Sequence, residues 1–269
     1  MCPSRGTHPS ISARRVWRNL TPLGRSRNRM DNLTARRVLI TNVGIGPGPA
    51  IVAELIRRGA RVAIQHPYDD KVANETATKV SGVTGSKPAI VQADLRHVFE
   101  CDRAVEEAAE ALDGLDVLVN NAGVVRPRGF LDTDEAVYNE VFDLNVKGYL
   151  FCAKRAVPFM LEAGGGSIVN VSCIHGHGGL PPRAAYAAAE GAVIAITREL
   201  AVEWRDNGIR VNAVAPSLIE APQPVDISEY TQEFGSILTP AGKLGRPEYI
   251  ALAVAFLACD DVGITGQIL

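Results

Sequence analysis

No acidic residue occurs among the first thirty positions, which instead carry seven arginines (Arg5, Arg14, Arg15, Arg18, Arg25, Arg27 and Arg29). Residues 31–269 are the opposite, with 21 basic against 30 acidic side chains and a net charge of −9. An acidic body argues against general nucleic-acid binding. No apolar run approaches membrane-spanning length: the longest, Tyr249 to Cys259, suits a buried helix, so no membrane partner is expected. No CxxC spacing links Cys2, Cys101, Cys152, Cys173 and Cys259, which argues for a reducing, cytoplasmic setting and no metal site. No internal repeat and no low-complexity linker divides residues 31–269. Residues 1–30 lack the apolar core of a secretory signal. They read as a basic disordered or artefactual extension before a start at Met30, with an organelle transit peptide as the alternative.

From Arg37 onward, short apolar runs alternate with helical stretches. RRVLIT, RVAIQ, AIVQADL, DVLVNNAG, GSIVNVSC and IRVNAVAP read as strands one to six. PAIVAELIRRG reads as a helix, as do segments around 102–112, 134–162, 186–206 and 247–259. This alternation predicts one α/β domain over 31–269: a doubly wound parallel sheet with helices on both faces, of Rossmann type.

The first strand runs into TNVGIGPGPAIVAEL. Gly44, Gly46 and Gly48 permit tight turning and close backbone approach, and a helix follows at once. Such a turn sets backbone N–H groups and a positive helix end where a pyrophosphate can sit. Pro47 and Pro49 fall where a missing N–H costs least, but they remove two potential phosphate donors.

With these features the chain resembles the short-chain dehydrogenase/reductases, whose turn reads TGxxxGxG. Thr41 opens the motif, Asn42 takes the first glycine, Gly46 and Gly48 take the other two, and Ile45 and Pro47 lie between. Asparagine tolerates a left-handed backbone, so the turn is expected to survive. The resemblance extends over most of 37–269. It places Asp94 and Leu95 against adenine, and the NNAG segment with Asn121, Ala122 and Gly123 after strand four. Asn145 in LNVKG matches the asparagine that supports a proton-relay water, and the nicotinamide loop follows IRVNAVAP with Pro216 and Ile219. The threonine usual in that loop is replaced by Ala221. GITGQIL would form the family's last strand, and the short tail that usually follows it is missing after Leu269.

The acid that grips a ribose 2′-OH at the end of strand two is replaced by His66, which favours NADP over NAD. Asp69 and Asp70 nearby oppose that preference, and His66 is alternatively an ordinary surface loop residue.

The resemblance implies a catalytic Asn, Ser, Tyr and Lys, with the serine thirteen residues before the tyrosine and the last pair spaced YxxxK. Asn145 and Tyr186 match, whereas the serine position holds Cys173 and the lysine position Glu190. In the family the lysine lowers the tyrosine pKa and grips the nicotinamide ribose. A unit charge at about 5 Å in an effective dielectric of about 20 is worth about 3 kcal/mol, and an ionised Glu190 would reverse its sign. Tyr186 would then stay a phenol, able to donate a proton to a ketone but poor at oxidising an alcohol. Glu190 can also accept hydrogen bonds from ribose hydroxyls, while Cys173 is a weaker donor than serine. Ser172 is expected to point to the other side of the strand. His175 and His177, in the loop beside the site, are either proton donors or plain loop residues. No base is evident by spacing that would make Cys173 a nucleophile.

The reading is an atypical NAD(P)H-dependent ketoreductase acting on a small-molecule carbonyl, with Tyr186 as proton donor. The alternatives are a catalytically impaired relative that binds cofactor or a partner, non-redox chemistry in the same cleft, or an inactive or truncated gene product. Helices within 134–162 and 186–206 resemble the family's interfaces, which implies a homodimer or homotetramer. The segment 221–238, with Tyr230 and Phe234, is where the family covers its substrate.

Overall fold

A computed structural model describes residues 33–44, 46–67, 70–220, 244–259 and 263–269. The expectations for the 1–30 extension, Ile45, Asp69, Ala221, Tyr230 and Phe234 lie outside these described residues.

Six parallel strands form one sheet: β1 (Arg37–Ile40), β2 (Arg61–His66), β3 (Ala89–Gln92), β4 (Val117–Asn120), β5 (Gly166–Val171) and β6 (Ile209–Val214). Their order is β3-β2-β1-β4-β5-β6. Among the described residues the α-helices are α1 (Gly48–Arg57), α2 (Asp70–Thr84), α3 (Val98–Leu112), α4 (Glu135–Phe142), α5 (Tyr149–Glu162), α6 (Ala184–Glu203) and α7 (Pro247–Ala258). The doubly wound architecture is therefore as the alternation predicts.

Strand periodicity explains the two cores. Val38 and Ile40, Val62 and Ile64, and Val117 and Val119 face one side with Ile51 and Leu55 of α1, Ala73 and Val80 of α2, and Val254 of α7. Leu39, Ala63 and Leu118, one position out of phase, face the other side with Val105 of α3, Met160 of α5 and Val193 of α6. Successive strand side chains alternate between faces, and both faces can be covered because both alternating sets are largely apolar. The order of connection reverses between β1 and β4. At such a point the loops diverge and leave a crevice beyond the strands' carboxyl ends.

Three local features differ from expectation. Helix α2 has no counterpart in the sequence reading, because DKVANETATKVSGVT carries a thin apolar stripe of which Ala73, Ala77 and Val80 are buried. The helix expected over 134–162 is interrupted by a π-turn at Asp143–Gly148. The final segment is not a full strand. It forms a bridge between Ala213 and Ile268, held by Ala213 N–H to Gln267 O (2.8 Å) and Leu269 N–H to Ala213 O (3.0 Å).

Candidate active site

The glycine turn is built from the end of β1. Asn42 takes φ +48° and Gly46 φ +59°, so the asparagine does adopt the left-handed backbone that a glycine would otherwise supply. Asn42 N–H donates to Gln65 Oε1 at 2.9 Å, and its carbonyl accepts from Asn121 Nδ2 at 2.8 Å. Thr41 is buried, and its Oγ1 accepts from the backbone N–H of Asn121 (2.9 Å) and Ala122 (3.0 Å), tying the turn to the NNAG segment. A Cβ added at Gly46 would enter open space, whereas one at Gly48 would stand 2.8 Å from Val43 Cα. The two glycines thus have different jobs: Gly46 leaves room over the turn, and Gly48 lets α1 close onto it. Pro47 precedes α1 and Pro49 lies in its first turn.

A cleft runs from Gly46 and Pro47, past Asn121, Ala122 and Gly123, to Tyr149, Ser172, Cys173, His175, Arg183, Tyr186 and Glu190. Pro216, Ser217, Leu218 and Ile219 form its other wall. A second cleft meets it at Ala122 and Gly123 and is lined by Asn42, Gln65, Pro67, Asp94, Leu95, Arg96, Arg126 and Glu140. Arg96 pairs with Asp94 (Nη2 to Oδ2, 2.6 Å), and Arg126 pairs with Glu140 (Nε to Oε2, 2.8 Å). Two clefts joined across the switch point, with an open glycine turn between them, fit an elongated two-ended ligand such as a dinucleotide.

His66 is not part of either lining. It is the last residue of a strand buried from its second position on, and it is only 2% exposed. It is therefore not a surface loop residue. Gln65, one residue earlier, is the side chain that reaches the cleft, and it also donates to Ala93 O at 2.7 Å.

The π-turn brings Asn145 inward. An inserted residue of this kind re-aims a side chain without ending the helix, and such turns cluster at functional sites. Asn145 Oδ1 accepts from Val124 N–H (2.9 Å), and Nδ2 donates to Glu190 Oε1 (3.1 Å). Glu190 is 5% exposed. Burial pushes its carboxyl up to about 7, against hydrogen bonds from Ser172 and Asn145 that favour the anion. Part of it is therefore protonated at neutral pH, and its repulsion of a Tyr186 phenolate is smaller than that of a full negative charge.

Tyr186 is held well above the ordinary phenol range by burial, by Glu190 and by its hydrogen bond with Cys173. Cys173 is likewise raised, chiefly by burial. Ser172 does not point away as expected. Strand β5 ends at Val171, so alternation stops there. Ser172 lines the cleft beside Cys173, its hydroxyl placed between the Glu190 carboxyl and the Glu190 backbone oxygen, 3.3 Å away, so that it can donate to either. Gly176 allows this crowding: a Cβ there would lie 2.8 Å from the Glu190 carbonyl carbon.

The two loop histidines part company. His177 is exposed, whereas His175 is buried. Burial and the Arg183 charge hold His175 down to about 4, so it is a neutral imidazole near pH 7 and no ready acid. The structure also adds Gln65, Tyr149, Arg96 and Arg183 to the cleft linings. Among these, Gln65 carried a signal, as a polar residue within an apolar strand.

The family profile described as enoyl-(acyl carrier protein) reductase matches residues 41–269. An oxidoreductase of Thermotoga maritima is 36% identical over 245 residues, covering 88% of this chain and 96% of that protein. A 3-oxoacyl-(acyl-carrier-protein) reductase of Staphylococcus aureus is 33% identical over 233 residues, covering 86% and 94%. Among solved structures, a short-chain type dehydrogenase/reductase from Mycobacterium marinum superposes with a TM-score of 0.81 at 27% identity, covering 89% of this chain and 94% of that one.

Proposed function

Because the chain belongs to the short-chain dehydrogenase/reductase family of oxidoreductases, we propose that it reduces a small-molecule ketone to an alcohol with NAD(P)H. The observation that carries this reading is that Tyr186 and Cys173 line the same cleft as the glycine turn, with Glu190 beside them. The residues that would hold the cofactor are Gly46 and Pro47 at the turn, Asn42, Asp94 and Leu95 in the second cleft, Asn121 to Gly123 between them, and Pro216 and Ile219 opposite. When bound, a reduced nicotinamide supplies hydride to the carbonyl carbon.

Tyr186 donates its phenolic proton to the carbonyl oxygen as charge develops there. A phenol with so high a pKa is a weak acid, so ketones activated by neighbouring electron-withdrawing or aromatic groups suit the site best. It is also a base that is scarcely populated, so alcohol oxidation is disfavoured. Glu190, partly protonated at neutral pH, lies one helical turn along from Tyr186, accepts a hydrogen bond from Asn145, and would accept others from the ribose hydroxyls of a bound cofactor. Cys173 contributes a thiol donor in place of a hydroxyl.

NADPH is proposed over NADH. No carboxylate stands at position 66, and among the described residues lining the second cleft Arg96 and Arg126 are cations, paired there with Asp94 and Glu140. A homodimer or homotetramer is proposed through α5 and α6, which expose Leu150, Leu161 and Val202. Light scattering on the purified chain checks the assembly.

A second reading, a dinucleotide-binding protein without redox turnover, is favoured by the Asn145–Glu190 hydrogen bond, which occupies both groups at the relay position. Following the near-ultraviolet absorbance of NADPH against a panel of activated ketones separates the two. Turnover that drops at least about a hundredfold in Tyr186→Phe supports the reductase. Cofactor binding with no turnover across the panel supports the second reading.

A further inference from the structure

Cys173, His175 and Arg183 form a chain of contacts along the floor of the cleft. Cys173 Sγ lies 3.1 Å from His175 Nδ1, and His175 Nε2 lies 3.3 Å from Arg183 Nη1. His175 and Arg183 are 6% and 7% exposed. The Tyr186 ring meets the imidazole edge-on, with centroids 5.5 Å apart and planes at 67°. A three-residue turn, Ile174–Gly176, holds the histidine in place, and Gly176 sets that turn directly on the backbone of Glu190.

The donor and acceptor roles in this chain follow from chemistry. Guanidinium has five N–H donors and no acceptor, so His175 Nε2 must accept. A neutral imidazole carries one proton, which then sits on Nδ1. The imidazole is neutral because burial and the adjacent guanidinium both oppose a second proton. Nδ1–H therefore points at Cys173 Sγ, and the His175 backbone N–H is also directed at that sulfur. A sulfur receiving these hydrogen bonds has its own S–H left to turn elsewhere.

We propose that His175 is a positioning residue for Cys173: with its tautomer fixed by Arg183, it donates to the sulfur and leaves the thiol proton to turn into the open cleft. The arrangement offsets the weakness of a thiol donor. Hydrogen bonds in series polarise one another, by roughly 10–30% per bond, and a sulfur that accepts from N–H becomes a more polar S–H. It also explains why a buried histidine and a buried arginine accompany a cysteine at this position. A serine hydroxyl would need neither. The direction of the hydrogen bonds stands on its own, while their catalytic consequence rests on the reductase reading above.

The test has two arms whose failures are distinguishable. Long-range proton–nitrogen correlation spectra of the wild-type protein near neutral pH read the His175 tautomer without any assay of turnover. The neutral Nδ1–H form is expected, and an Nε2–H form or an imidazolium would overturn the proposal. In the second arm, His175→Phe is made in the natural chain and in Cys173→Ser. With the cysteine present, kcat is expected to drop about tenfold with KM within about twofold. With serine at 173, the same change is expected to cost less than about twofold. Equal losses in both backgrounds would mark His175 as a structural residue and overturn the proposal. Should the wild type turn over no ketone, the reductase reading fails, and the tautomer alone decides this one.

Discussion

Asn145 Nδ2 donates to Glu190 Oε1 across 3.1 Å, so an amide delivered by a π-turn meets a carboxyl buried in α6. Burial of that carboxyl, which outweighs the Asn145 hydrogen bond, makes the protein pH-dependent. Burial pushes the Glu190 carboxyl up to about 7 in the folded protein, against 4.5 for the ordinary group. The folded state therefore binds more protons than the unfolded one between these values. Stability from this group is complete below about pH 4.5 and is lost as pH rises through about 7. A raised pKa of this size corresponds to a loss on the order of 3 kcal/mol. Melting curves of the wild type and Glu190→Gln across this range check it: the variant is expected to be flatter and to gain relative stability above pH 7. Reductase turnover should follow the same proton, falling above pH 7 in the wild type and much less in Glu190→Gln.

Restoring the usual pair is the complementary experiment. Glu190→Lys with Cys173→Ser replaces a partly charged acid by a cation and a thiol by a hydroxyl. A unit charge at about 5 Å in a dielectric of about 20 is worth about 3 kcal/mol on the tyrosine. The double variant should reduce activated ketones at least about tenfold faster near neutral pH, and it should also gain measurable alcohol oxidation. Steady-state rates in both directions check this.

At Asn42 the backbone sits at φ +48°. Asn42→Gly should change stability by no more than about 0.5 kcal/mol, because glycine takes this conformation freely. Asn42→Val should cost roughly 1–2 kcal/mol. Denaturant titration distinguishes the two.

Gly48 is constrained by space. Gly48→Ala would set a Cβ 2.8 Å from Val43 Cα and 3.0 Å from Val43 O, backbone atoms that cannot swing aside. A destabilisation of about 1–3 kcal/mol is expected, together with weaker dinucleotide binding as α1 is pushed off the turn. Thermal melts and a binding isotherm check both effects.

Most of the architecture was legible because the strands are largely apolar on both faces, with only a few polar residues such as Gln65, Asn120 and Asn170 among them. Leu39 and Leu118 face one layer while Val38 and Val117 face the other, and no helix-like period explains those runs. Helix α2 was missed because Ala73, Ala77 and Val80 bury too little surface to mark a face. The π-turn left no trace, since LNVKG reads as ordinary helix and only the packing of Asn145 against Val124 and Glu190 reveals the insertion. Counting residues located Tyr186, Cys173 and Glu190 but gave neither burial nor direction. His66 therefore looked available when it is enclosed, and Ser172 looked averted when it faces the cleft. The Arg183–His175–Cys173 chain was beyond counting altogether, because it depends on how a turn folds over α6.

The claim beneath all of this is that a reduced pyridine nucleotide occupies the joined clefts. Isothermal titration of the purified chain with NADPH and NADH tests it most directly. Saturable binding well below millimolar, tighter for NADPH and weakened in Gly48→Ala, is the predicted result. Heats indistinguishable from dilution for both nucleotides at millimolar concentration would contradict the account.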